Sequence, residues 1–183
     1  MPDIADLKGM LGGLVTAMGG HTGVPNGTAP IDHLDVERYL GTWYEIARLD
    51  HSFERGLCCV TATYEPREDG GIKVINRGYD PQKEEWDEAE GKAYFDDANT
   101  RNGRLKVSFF GPFYAGYNVL KIDADYRHAL VAGPSHDYLW ILSRTPTLEA
   151  ADYAALVDFA RQHGFAVEGL IRVDHGHPPC PAH

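Results

Sequence analysis

The chain has 183 residues, a net charge of −10 and 43% hydrophobic residues, enough for one globular domain with a real core. The negative balance, with the one dense charge run Lys83-Glu84-Glu85-Trp86-Asp87-Glu88 mostly acidic, argues against nucleic acid, whose affinity rests on neutralised phosphates. It gives no general attraction to anionic membranes, and no apolar run approaches the ~20 residues of a spanning helix.

In chain order, residues 1–30 are Gly-rich and carry Pro25 and Pro30, which reads as a mobile leader with one helical turn around Ile4 to Leu14. The mildly apolar stretch from Met10 to Gly20 lacks a basic flank and follows Asp3 and Asp6, so it does not read as a signal peptide. No Cys stands near it to carry a lipid anchor. Asp35 to Tyr39 reads as a short helical turn. Tyr39 to Arg48 reads as a first strand, because Trp, Tyr and Ile favour the pleated conformation. Simple alternation puts Trp43, Glu45, Ala47 and Leu49 on one face and Tyr44, Ile46 and Arg48 on the other.

Further strands are predicted over Cys58–Tyr64, Ile72–Tyr79, Glu85–Phe95, Leu105–Phe110, Tyr117–Ile122, His128–Ala132 and Tyr138–Ser143, separated by Gly, Pro, Asn and Asp turns. Regular short strands at this spacing predict an all-β sandwich or barrel. One helix follows, with Thr147 as N-cap and Gly164 as C-cap, and with Leu148, Ala151, Ala155, Leu156, Phe159 and Ala160 on one face. Leu170 to Val173 is a short ninth strand. The tail, 175–183, is rich in His and Pro. His175, His177, Cys180 and His183 match no tetrahedral zinc spacing, so no metal is expected. No nucleophile motif and no phosphate-binding loop is present, and nothing positively indicates an enzyme.

Three ordered motifs resemble those of the lipocalins. Gly41-Thr42-Trp43 is similar to the family's Gly-x-Trp at the first strand, Ala124-Asp125-Tyr126 to its Thr-Asp-Tyr turn, and Arg144 to its Arg after the last barrel strand. The phrases Gly41 to Arg48, Ser108 to Tyr114 and Tyr138 to Pro146 look closest to bacterial lipocalins, with plant temperature-induced lipocalins and apolipoprotein D as cousins. The resemblance covers residues 31–174. It implies an all-β fold, an eight-stranded antiparallel up-and-down barrel with one C-terminal helix and a short ninth strand. Gly41, Trp43, Asp125 and Arg144 become its structural signature, with Arg144 stacked on Trp43 at the closed end.

By similarity to apolipoprotein D, Tyr64, Asn76, Tyr117 and Trp140 line a cavity. Strand phase then adds Cys58, Val60, Ala62, Val74, Tyr138 and Leu142, together with Val107 and Phe109. Phe113 and Tyr114, in the loop Gly111 to Gly116, form an aromatic portal. The resemblance also implies a Cys59–Cys180 disulfide; residue order alone leaves Cys58–Cys180 and a vicinal Cys58–Cys59 bridge open. The function implied is binding, storage or transport of small hydrophobic ligands, fatty acids or lysophospholipids. Alternatives are a tetrapyrrole or other pigment carrier and a calyx enzyme using Cys58 as a thiol nucleophile. No cofactor is required beyond a bound lipid or pigment. A homodimer is implied only by some bacterial relatives. The disulfide favours an extracytoplasmic location, periplasmic or associated with the outer membrane, while the missing signal leaves the cytoplasm open.

Overall fold

The computed structural model describes residues 20–176 and 179–182. Nine strands form one antiparallel sheet: β1 Gly41–Leu49, β2 Cys58–Pro66, β3 Ile72–Asp80, β4 Glu85–Phe95, β5 Arg104–Phe110, β6 Phe113–Ile122, β7 His128–Ala132, β8 Leu139–Ser143 and β9 Leu170–Arg172. Each of the first eight pairs with its neighbour, and β1 pairs with both β8 and β2, so the sheet closes on itself. Closure removes the exposed edges that an open sheet would present. The expected barrel is therefore the fold found. β6 begins four residues earlier than expected, because Phe113 already pairs with Phe110 and the predicted Gly111–Gly116 loop shrinks to a two-residue turn.

Alternation divides the apolar residues into two clusters. Trp43, Tyr64, Val74, Leu105, Val107, Val131 and Leu142 fill the interior. Leu130, Leu139 and Ile141 face outward, where the helix α2, Ala150–Gln162, covers them with Leu156 and Ala160. β7 and β8 are thus buried on both faces, which is why they read as continuous apolar runs. The helix starts later than expected. Glu149 is its N-cap and makes no side-chain cap bond, Thr147 lies outside it, and Ala151 and Ala155 are exposed. Gly164 adopts a φ of +89°, the left-handed conformation that ends a helix.

The closed end is built by a short helix, α1 (Val36–Tyr39), capped by Asp35. Trp43 is fully buried and donates its indole N–H to the Tyr39 carbonyl at 2.8 Å. The Arg144 guanidinium lies 3.8 Å from the Trp43 ring centroid. It donates to the carbonyls of Arg38 at 2.6 Å, Thr42 at 3.2 Å and Tyr126 at 3.2 Å, tying three segments together. Gly41 has φ +100°, and a Cβ there would sit 3.2 Å from an Arg144 nitrogen, so glycine is required twice over. Asp125 is exposed on the turn before β7, and the carboxylate of the neighbouring Asp123 accepts from the backbone N–H of Asp125, Arg127 and His128.

The ends of the chain are also strapped to the wall. From residue 20 onward the expected leader lies against the outside of β5 and β6: Gly116 N–H donates to the His21 carbonyl, and the Asn118 amide to that of Gly23. The helical turn expected over Ile4 to Leu14 lies outside the described residues. At the other terminus Val173 N–H donates to Ile46 O, Cys59 N–H donates to Asp174 O, and Cys59 bonds covalently to Cys180. This tail fills the gap where β2 diverges from the upper half of β1.

Two measurements test these closures. Arg144→Ala should remove about 2 kcal/mol, the upper part of the cation–π range, lowering Tm by about 4–8 °C. Cys180→Ser opens a loop of 121 residues and should cost at most about 5 kcal/mol by the chain-entropy model, read as a lower denaturation midpoint in non-reducing buffer.

Candidate functional site

The interior contains a cavity of about 60 Å³, room for several water-sized groups. Its wall includes Ala62, Tyr64, Val74, Asn76, Val107, Phe109, Tyr117, Trp140 and Leu142, all placed there by sequence reasoning, and also Ile72, Ala93, Leu105 and Val131. At the closed base Tyr117 hydrogen-bonds through its hydroxyl to both Tyr39 and Tyr64. Burial pushes the Tyr64 phenol up to about 12 and raises the other two further, so all three remain neutral.

The mouth carries what the sequence did not reveal. β1 contains a bulge between Glu45 and Ala47, so that Glu45 opposes Leu142 while Ala47 opposes Ile141 and Arg48 opposes Trp140. One extra residue reverses the phase of everything after it. Ala47 and Leu49, expected to share the Trp43 face, pack outside under α2, and Arg48, expected on the opposite face, turns inward. Its guanidinium is only 2% exposed. Nη1 donates to Glu45 Oε1 at 3.2 Å, Nη2 donates to the Glu54 carbonyl at 2.7 Å, and Nε lies 3.6 Å from Glu54 Oε2. Trp140 Nε1 donates to the same Glu54 oxygen at 3.1 Å.

Glu54 comes from loop 50–57, which folds down over the mouth rather than standing clear of it. His51 and Phe53 of this loop are buried with it, the imidazole stacked 5.0 Å from the Phe53 ring and 4.5 Å from Tyr138. Burial raises the Glu45 carboxyl well above the usual carboxylate range, and the neighbouring Glu54 adds to this while Arg48 opposes it. Glu54 is raised for the same reason, with Arg48 and Trp140 opposing. Burial lowers His51 from its ordinary 6.5 to about 4, so it is neutral in the fold.

Cys58, Val60 and Tyr138, expected in the cavity, lie elsewhere, and of the expected portal pair only Phe113 stands at the rim. β2 is bulged between Cys58 and Thr61, and Cys59 takes φ +55°, so strand phase does not carry to Cys58. The Cys58 thiol points to the Tyr79 carbonyl at 3.6 Å and lies 3.7 Å from the disulfide sulfur of Cys59. Burial, then the Asp174 carboxylate, raises its pKa, the opposite of an activated nucleophile. Val60 packs in a separate cluster with Leu57. Tyr114 lies on the outer wall against Tyr94 and under Lys106. Tyr138 caps the mouth through its stack on His51 rather than lining the cavity. Phe113 stands at the rim, 56% exposed. Among the described residues no group of three His, Cys, Asp or Glu side chains is placed to hold a metal ion. His175 is engaged by the Glu45 carbonyl, and Cys180 by Cys59.

A closed eight-stranded barrel with a Trp–Arg base and an apolar cavity is the geometry that the motifs implied, and the Lipocalin-like domain family model matches residues 34–175. The chain is a lipocalin. Outer membrane lipoprotein Blc of Escherichia coli (strain K12) is 58% identical to it over 149 residues, 81% of this chain and 84% of the relative. Apolipoprotein D of Mus musculus is 31% identical over 159 residues, 82% of this chain and 80% of that one. Among solved structures, insecticyanin from the tobacco hornworm Manduca sexta superposes with a TM-score of 0.66, covering 84% of this chain and 87% of its own, at 21% identity, a likeness of fold alone. Lipocalins as a family bind small hydrophobic ligands. No helix among its described residues is long and apolar enough to cross a membrane.

The mouth of this lipocalin should respond to acid through His51. A group whose pKa is depressed by folding contributes stability that is complete above its unfolded value of 6.5 and is lost as pH falls through about 4. The raised Glu45 and Glu54 act in the opposite sense, contributing most at low pH. Between pH 6.5 and 4 the wild-type Tm should therefore fall relative to that of His51→Phe, which keeps the stack without the titration; parallel curves would contradict the assignment.

Proposed function

We propose that the protein binds and carries an elongated amphiphile, of the fatty acid or lysophospholipid type, with its apolar chain in the barrel. The observation that carries this reading is the wall. Ala62, Val74, Leu105, Val107, Val131 and Leu142 converge on one internal space, with a small polar set at each end. Burying a chain in such a space contributes about 0.8 kcal/mol per CH₂, so ~10 methylenes offset much of the association cost of about 4–15 kcal/mol. The exposed Phe113 at the rim supports its role as an apolar landing point for an entering chain. Loop 50–57, latched by Glu54, is the segment that must move to admit one.

An extracytoplasmic location fits the same reading. The Cys59–Cys180 bond needs an oxidising compartment, and the bacterial relative is an outer membrane lipoprotein. Cys58 lies outside the cavity lining, which weighs against a calyx thiol enzyme.

Delipidated protein titrated with long-chain amphiphiles should show saturable quenching of Trp140 fluorescence, because Trp140 lines the cavity. Trp140→Ala should weaken binding about tenfold or more, by lost contact area and by freeing Glu54, whereas Glu168→Ala, an exposed change below the helix, should leave affinity unchanged. Absence of binding across fatty acids and lysolipids would sink the reading.

A further inference from the structure

Two carboxyl groups, Glu45 and Glu54, face the cavity, while the single guanidinium of Arg48 stands behind them and does not line it. We propose that this cluster is a headgroup subsite that selects amphiphiles whose polar end is a cation or a hydrogen-bond donor, alkylammonium or alcohol, over a free carboxylate. The inference rests on the carrier reading above and narrows it, placing ionised fatty acids below cationic and hydroxyl-bearing amphiphiles in affinity.

The argument is one of charge in a dry space. All three groups are at least 94% buried, so an uncompensated charge among them is costly. Nη1 and Nη2 of Arg48 donate to Glu45 Oε1 and the Glu54 carbonyl, its Nε stands 3.6 Å from Glu54 Oε2 without a hydrogen bond, and the Trp140 N–H donates to Glu54 Oε2, while Arg48 itself does not line the cavity. What the cluster turns toward the cavity is therefore carboxyl oxygen, an acceptor surface. Glu45 Oε1 and Glu54 Oε2 flank the same guanidinium at 3.2 and 3.6 Å, and burial raises both carboxyls, so one proton held by the pair together with one guanidinium leaves the cluster neutral. An entering ammonium displaces that proton to solvent and leaves two carboxylates facing two cations, again neutral. An alcohol donates its O–H without changing the charge. A carboxylate brings a net negative charge into the same space, where no cationic side chain among the described residues lines the wall to receive it.

The opposite pole does not rescue an anion. The hydroxyls of Tyr39, Tyr64 and Tyr117 are bonded to one another at the closed base, and a headgroup there would have to break those bonds. Asn76 is the remaining polar side chain of the wall and carries no charge.

Three probes of equal chain length test the proposal on the full, delipidated chain near pH 7.5: dodecylamine, 1-dodecanol and dodecanoate. Dodecylammonium and dodecanol should bind about tenfold or more tightly than dodecanoate. Calorimetry in two buffers of different ionisation enthalpy should show about one proton released per dodecylammonium bound and none for dodecanol. Glu45→Gln should abolish the proton release and the preference for ammonium over dodecanol; Glu54→Gln provides the same comparison should the first variant fold poorly, and the exposed Glu168→Ala should leave the affinities for all three probes unchanged. Dodecanoate binding as tightly as dodecylammonium, or ammonium binding without proton release, overturns the inference even while dodecanol still binds. Failure of all three probes overturns the carrier reading and this inference with it.

Discussion

A guanidinium inside an apolar barrel is the constraint on which the open half of this molecule depends. Removing one partner from a buried ion pair typically costs about 3–5 kcal/mol, because the remaining charge has no water to turn to. Once the β1 bulge brings Arg48 inside, Glu45 alone cannot satisfy it, and the chain supplies Glu54 and its carbonyl from loop 50–57. That loop must then fold inward. Its descent buries His51 and Phe53, stacks His51 on Tyr138 and fixes the Trp140 indole against Glu54. The mouth is thus shaped by electrostatics rather than by apolar packing.

The closed half follows a different logic. There the charge is at the surface of the plug: Arg144 is half-buried, and its ring contact and three carbonyl bonds join α1, β1 and the β6–β7 turn without being sealed from water. Above it, Trp43 and the tyrosine hydroxyls fill the base. A neutral floor and a charged, loop-borne lid make the two ends unequal.

Much of this was legible in the sequence because strands carry a period of two and turns carry Gly, Pro, Asn and Asp. The eight barrel strands follow from alternation and turns; the Trp43–Arg144 base follows from the family resemblance, and nine wall residues from the likeness to apolipoprotein D together with strand phase. What failed did so at bulges. Neither the β1 bulge at Ile46–Ala47 nor the β2 bulge at Cys59–Val60 has a glycine to announce it, so Arg48 and Cys58 were each assigned to the wrong face. Loop 50–57 was missed, although Leu49, Phe53 and Leu57, all buried, recur at a spacing of four that could have signalled a packed segment. The N-terminal strap left no such signal, since residues 20–31 hold the wall through backbone carbonyls, which every sequence possesses.

The central claim is that the interior, and not the packed apolar layer between the barrel and α2, receives the ligand. Intermolecular nuclear Overhauser contacts between a bound dodecyl chain and methyl-labelled protein decide it. The account predicts contacts to the methyls of Ala62, Val74, Val107 and Leu142. Contacts confined to Leu130, Ile141 and Leu156, on the outer side of the same strands and on α2, would contradict it.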